Sequence, residues 1–181
     1  KNYLLDKTTD PNAKRKIIVK SPTGSGKTII LLSYIYDYLL WQDPNKVFIW
    51  LTPGKGDLEE QSKEKMDEFI PHAKSANIHD ALLQGFKGGY TYFINWEMIT
   101  NKKNNALKDS EKKNLFERIA EAHREQLSFI TIIDEEHLNN TSKADDIISS
   151  INAKYEIRVS ATPNKRVVGE FYEIPETDVI S

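Results

Sequence analysis

The sequence predicts an α/β domain, a mainly parallel central sheet with helices on both faces, and three observations carry that expectation. The β-branched run Ile17-Ile18-Val19-Lys20 passes through the turn Ser21-Pro22-Thr23-Gly24-Ser25-Gly26-Lys27-Thr28 into a long apolar run, an order that reads as strand, phosphate loop and helix. A second run, Phe129-Ile130-Thr131-Ile132-Ile133, suits the centre of a parallel sheet and ends in Asp134-Glu135-Glu136-His137. The chain has 181 residues, enough for one such core and short for two, so residues 1–181 are read as a single domain.

Taken in order, Lys1 to Arg15 is a polar lead-in with a turn signal at Asp10-Pro11-Asn12, and Lys16 to Lys20 is the first strand. Thr28 to Trp41 carries Ile30, Tyr34, Tyr38 and Trp41 at three- and four-residue spacing, which predicts a helix largely buried against the sheet. Its aromatic residues are read as core packing rather than a ligand platform. Asp43-Pro44-Asn45 ends that helix, and Lys46 to Leu51 is a buried strand. Thr52-Pro53-Gly54 leads to a helix from Asp57 to Ile70, with Leu58, Gln61, Lys65 and Phe69 along one side. Asp57 is its expected N-cap, with Glu60 completing a capping box. Asn77 to His79 reads as a short strand and Asp80 to Gln84 as a helical turn. His72 and His79 have no obvious partner and are read as surface residues.

Gly88-Gly89 introduces a strand from Tyr90 to Asn95, which runs into Trp96-Glu97-Met98-Ile99. Asn101 to Lys113 is rich in Lys and Asn, but Asp109 and Glu111 interrupt it, so a solvated loop is expected there in preference to a basic patch. Leu115 to Gln126 is amphipathic, with Leu115, Ile119, Ala122 and His123 on one face, and His123 reads as a packed or surface histidine. A helix from about Lys143 to Asn152 precedes a strand, Tyr155 to Val159, that ends in Ser160-Ala161-Thr162-Pro163; Glu170 to Ile174 alternates as one more strand.

Composition narrows the function classes. The net charge is −2, so nucleic-acid contacts must come from a local face and not from the molecule as a whole. There are no cysteines, which excludes disulfides, thiolate metal sites and a cysteine nucleophile, and suits a reducing cytoplasm. No apolar run approaches the roughly 20 residues needed to cross a bilayer, and no signal-like segment opens the chain, so no membrane partner is expected. Residue 1 is Lys, and the chain is read as a fragment of a longer protein.

The chemistry lies in the two runs that define the fold. Glycines let the backbone bend with its N–H groups facing a phosphate at the positive end of the following helix. Lys27 adds a point charge near the β- and γ-phosphates, and Thr28 a hydroxyl for Mg²⁺. The general phosphate-loop pattern opens with Gly where this chain has Ser21, so the match is to the Gly-x-Gly-Lys-Thr core. Three acids straight after an apolar strand are not core filler, because buried carboxylates need partners or a metal. Ligands bind at the carboxyl ends of strands in open α/β sheets, so this cluster can face the loop. One carboxylate then holds Mg²⁺ and a second polarises the attacking water.

With these pieces in order the sequence resembles the first RecA-like domain of superfamily 2 DExH helicases and translocases. Ser21 to Thr28 is similar to motif I, Thr52-Pro53-Gly54 with Leu58 and Gln61 to motif Ia, and Asn95-Trp96-Glu97-Met98 sits where motif Ib is expected. Asp134-Glu135-Glu136-His137 is similar to motif II, and Ser160-Ala161-Thr162 to motif III. Within the superfamily, Trp-Leu-Thr-Pro-Gly, Leu58 to Ser62 and Ser-Ala-Thr-Pro resemble the Res subunit of type III restriction enzymes. The resemblance implies that Thr23, Gly24, Ser25, Gly26, Lys27 and Thr28 bind ATP, that Thr28 and Asp134 hold Mg²⁺, and that Glu135 is the base. It implies coupling roles for His137, Ser160 and Thr162. It also implies contacts from Thr52, Pro53, Gly54 and Asn95 to the DNA backbone, independent of base sequence.

Further partners follow from the same resemblance: a second RecA-like domain of the same chain, whose motif VI arginines do not appear by Ser181, and a modification (methyltransferase) subunit. No upstream adenine-reading glutamine is found before Lys16, and no restriction-nuclease signature can be assembled. Two other readings stay open at this stage. One is a repair or RNA helicase of the same superfamily; the other is a nucleotide-regulated binding module without turnover, against which intact Lys27, Thr28, Asp134 and Glu135 argue.

Overall fold

The central strands are apolar on both sides of the pleat because both faces of the sheet are covered. The computed structural model describes residues 15–21, 26–53, 57–95, 97, 109–134, 142–161 and 170–173. In chain order these form β1 (Arg15–Lys20), α1 (Lys27–Trp41), β2 (Val47–Thr52), α2 (Leu58–Phe69), β3 (Ser75–Asn77), α3 (Ile78–Gln84), β4 (Thr91–Asn95), α4 (Asp109–Arg124), β5 (Phe129–Asp134), α5 (Ser142–Ile151), β6 (Tyr155–Ser160) and β7 (Glu170–Glu173). The strands make one seven-stranded sheet in the order β3-β4-β2-β5-β6-β1-β7. Its pairings are all parallel, as the unbroken apolar runs of β2 and β5 require.

Alternation along the strands sorts the side chains into two cores. Val47, Ile49 and Leu51 of β2 join Ala81 of α3, Ile119 of α4 and Ile147 of α5 on one face. Phe48 and Trp50 join Leu32 and Ile35 of α1 and Met66 of α2 on the other. Each fully buried side chain of this size contributes about 1.5–3 kcal/mol over its exposed state, so the two faces together hold the sheet.

Several local expectations change. In α1 the buried stripe is Leu31, Leu32, Ile35 and Tyr38, while Ile30 (39%) and Trp41 (75%) are exposed. The helix is rotated from the expected face because its apolar residues are nearly continuous and packing on β2 chooses among them. In α2 the buried residues are Ser62 and Met66, and Phe69 lies exposed. Asp57 precedes that helix in the left-handed region (φ 50°) and its side chain makes no capping bond, since the capping box needs an extended N-cap. Such a box forms instead at α3, where Asn77 accepts from the Asp80 N–H and Asp80 accepts from the Asn77 N–H, each at 3.0 Å. α4 starts at Asp109, so 109–113 is helical and not loop. Acidic residue types such as Asp109 and Glu111 favour a first helical turn, where they oppose the positive end.

The amino edge of the sheet is tied by Lys46, whose ammonium donates to Ser128 Oγ at 2.7 Å and lies 3.5 Å from Asp43 Oδ2. Burial lowers its pKa, and the Asp43 carboxylate opposes that. Beside it Gly89 (φ +82°) is required, because a Cβ there would stand 2.8 Å from the Pro44 carbonyl oxygen.

Tyr34 of α1 packs edge-on against Phe48 with ring centroids 6.2 Å apart, and its hydroxyl is buried without a hydrogen-bond partner. Burial, with Tyr38 and Tyr155 adding to it, pushes its pKa far above the ordinary tyrosine value of 10.0. The pKa of Tyr92 is raised with the same leading cause. A raised folded-state pKa gives stability that is complete below the unfolded value and is lost as pH climbs through the window above it, so alkaline unfolding should set in beyond about pH 10. Tyr34→Phe removes an unpaired hydroxyl and is expected to raise stability by about 1 kcal/mol at pH 7 and to flatten the alkaline loss. Urea melts at neutral and alkaline pH check this; a destabilised variant at pH 7 would show that the hydroxyl is paired.

Candidate functional site

Because the sheet is parallel, the carboxyl ends of β1, β2, β4, β5 and β6 lie along one edge, and the residues singled out in the sequence follow them there. Ser21 leaves β1, Thr52 and Asn95 end β2 and β4, Asp134 ends β5 and Ser160 ends β6. The Ser21 N–H donates to the Ser160 carbonyl at 3.0 Å, and both residues are 1% exposed. The position where the general loop pattern has Gly is thus a buried seam between β1 and β6, and a small side chain fits it.

Gly26 enters α1 with φ 69°, which glycine adopts at little cost. The first turn of α1 has no acidic residue and Gly26 supplies no side-chain cap, so no carboxylate of the helix itself opposes an anion at its positive end. Lys27 is the first residue of that turn. Ile130 and Ile132 of β5 face α1, and strand alternation sends Asp134 to the same side. The result is a Lys27 Nζ to Asp134 Oδ1 distance of 2.8 Å, with side chains 18% and 11% exposed. Asp134 Oδ1 has no aligned hydrogen bond even so. The contact is an ion pair set by distance rather than direction, and distance governs its electrostatics. Thr28, partly buried, follows in the same turn.

The edge further along is closed inward. Thr52 is fully buried, Pro53 is buried and Asn95 is 8% exposed. Asn95 Nδ2 donates to Glu59 Oε2 at 3.2 Å, and its Oδ1 accepts the Glu97 N–H at 3.0 Å. Glu59, in the first turn of α2, is thus a site neighbour that the sequence reading overlooked. On β6 the reading gave no role to Glu156 and Arg158, whose Arg158 Nε to Glu156 Oε2 bond of 2.8 Å lies on the same side of the strand as Ser160 and on the sheet face opposite Asp134. The polar alternation Glu156, Arg158, Ser160 in the sequence was the available signal. Thr23, Gly24, Ser25, Gly54, Glu135, His137 and Thr162 lie outside the described residues. His72 and His79 are exposed, and His123, also exposed, sets its ring edge-on to Phe129 with Nε2 3.0 Å from the Ser150 carbonyl.

A family model described as "Type III restriction enzyme, res subunit" matches residues 2–165. The chain belongs to that family. Among solved structures, this Res-family chain is similar to a Sulfolobus solfataricus SWI2/SNF2 ATPase core in complex with dsDNA, at 14% identity and a TM-score of 0.56 over 91% of this chain. It is also similar to a nuclease-deletion mutant of the type ISP restriction-modification enzyme LlaGI in complex with a DNA substrate mimic, at 16% identity and a TM-score of 0.59 over 91% of this chain. The chain spans only 29% and 18% of the length of these two structures. At such identities the likeness is one of fold, and the fold is that of the RecA-like helicase domain. Comparison with curated protein sequences gives no match. The family is thus that of the Res subunit and the fold that of a RecA-like helicase domain, and among the described residues no helix is long and apolar enough to cross a membrane.

Proposed function

We propose that this Res-family domain is one half of the ATP site of a DNA translocase, the Res subunit of a type III restriction enzyme working in the cytoplasm. The observation that carries the reading is the Lys27–Asp134 ion pair of 2.8 Å, which brings the end of the phosphate-loop motif and the start of the acidic motif to one point. A lysine beside the uncapped start of a 15-residue helix fits a phosphate chain, and a carboxylate with the Thr28 hydroxyl in the adjoining turn fits a divalent cation. Thr28 and Asp134 would hold Mg²⁺, which supplies charge stabilisation to the transferring phosphoryl group when bound. Lys27 turns from Asp134 to the phosphates, exchanging one anion for another. Thr23 to Gly26 would hold the phosphates through their backbone N–H groups. Glu135 takes the proton of the attacking water.

DNA is the proposed track, supported by the nucleic-acid complexes of both structural relatives and read through backbone contacts. The buried Thr52 and Pro53 and the engaged Asn95 mean that such contacts require this edge to open or to offer its main chain. A second RecA-like domain of the same polypeptide would complete the ATP site and move with hydrolysis, with His137, Ser160 and Thr162 as couplers, and a methyltransferase subunit is a further partner.

Titration calorimetry of the 181-residue chain with ATP and Mg²⁺ is expected to show weak binding that Lys27→Ala removes. If the proposed second domain supplies an arginine finger, hydrolysis by the 181-residue chain alone should lie about 10³–10⁵-fold below that of a chain carrying both domains. Robust DNA-stimulated turnover by the chain alone would overturn the half-site reading.

A further inference from the structure

The resemblance gives Thr52 to a nucleic-acid strand, yet Thr52 has no surface to offer one. It is 0% exposed, and its Oγ1 is buried without a hydrogen-bond partner. An unpaired buried hydroxyl is costly, and Thr at the end of an otherwise apolar strand calls for a reason that core packing does not supply. The pairing register supplies one. Leu51 of β2 is aligned with Ile133 of β5, so the next residues of the two parallel strands, Thr52 and Asp134, stand side by side at the carboxyl edge. Neighbouring strands are about 4.8 Å apart and aligned residues of parallel strands project to the same face. Phe48 and Trp50 of β2 and Ile130 and Ile132 of β5 confirm that face as the one covered by α1. Thr52 and Asp134 are therefore two buried polar residues on one side of the sheet, and each has an oxygen without an aligned hydrogen bond.

We infer that Thr52 is a positioning residue for Asp134 in the nucleotide-bound state. In the chain as it stands, Lys27 holds Asp134 Oδ1 at 2.8 Å and the Thr52 hydroxyl is idle. When Lys27 moves to a phosphate, Asp134 loses its cation and must present a fixed carboxylate to Mg²⁺. The Thr52 O–H is the donor at hand for the carboxylate, in the way that hydrogen-bonded neighbours orient metal-binding carboxylates generally. Its partner group appears only in that state, which is why the hydroxyl has none now. The inference rests on the proposed ATP–Mg²⁺ site and replaces the nucleic-acid role of this one side chain.

Thr52→Val and Thr52→Ser in the 181-residue chain test it by nucleotide binding with and without Mg²⁺, alongside thermal melts. Thr52→Val is expected to melt at or above the wild-type temperature, to bind ATP without Mg²⁺ as the wild type does, and to lose at least about tenfold in the Mg²⁺-dependent part of its affinity. Thr52→Ser, which keeps the donor, should restore that part. Equal Mg²⁺-dependent affinity of Thr52→Val and wild type overturns the inference, as does a loss that Thr52→Ser does not restore. A Thr52→Val defect confined to DNA binding overturns it in favour of a strand contact. Failure of the wild-type chain to bind ATP with Mg²⁺ at all would instead remove the proposed site itself, so the two failures are distinct.

Discussion

Lys27→Ala is expected to abolish ATP turnover in the longer protein and, separately, to destabilise the isolated domain. The first effect follows from the charge that Lys27, in the proposed site, would bring to the phosphates at the start of α1; removing one such preorganised group costs about 10²–10³-fold in rate. The second follows from the resting structure, where Lys27 lies 2.8 Å from Asp134 Oδ1 and the Asp134 side chain is only 11% exposed. Taking the cation away leaves a largely buried carboxylate without its partner, at a cost of about 1–3 kcal/mol. The two effects separate in a double variant. Lys27→Met with Asp134→Asn removes both charges, so urea melts should recover most of the lost stability while single-turnover hydrolysis stays lost. Turnover that survives Lys27→Ala would dismiss the assignment of the loop; stability that the double variant fails to recover would dismiss the ion pair as the cause.

Glu135→Gln is expected to stop turnover while ATP binding persists. Glutamine keeps the size of the side chain and an acceptor oxygen, but an amide does not take up a proton at neutral pH, so the general-base contribution of about 10²–10⁴-fold is lost. Binding should survive because Lys27, Thr28 and Asp134 are untouched, and substrate that binds but is not consumed should accumulate on the protein. Calorimetry with ATP and Mg²⁺ beside steady-state hydrolysis in the longer protein separates the two quantities. Unchanged hydrolysis would remove Glu135 as the base, and a parallel loss of binding would move it into the group that holds the metal.

Most of the strand ladder was legible because each strand is a short apolar run bounded by turn residues, and β1, β2, β4, β5 and β6 fall within one residue of their expected limits. What failed was which face a helix buries and how it is capped. In α1 apolar residues are so dense that Ile30 and Leu31 are equal candidates by pattern, and the sheet surface beneath decides for Leu31. Asp57 has the right residue type for a cap, but its backbone turns left-handed before α2, and no side-chain pattern reports that. The start of α4 was hidden because lysine and asparagine read as loop when counted by composition, although lysine is a good helix former.

For the site, the residue types and their order along the chain singled out Lys27, Thr28 and Asp134, and the structure sets Lys27 against Asp134 with Thr28 in the same helical turn. The sequence alone thus determined the α/β class and the parallel sheet, and it supplied the reading of the loop that the proposed function rests on. Only the tertiary structure decided who stands beside whom: Lys27 against Asp134, Ser21 hydrogen-bonded to Ser160, and Thr52 paired with Asn95 and buried rather than open to solvent. The reason is physical. Strand order and register come from the packing of helices on the two faces of the sheet, contacts between residues far apart in the chain, whereas local pattern records only which side of a strand or helix is apolar.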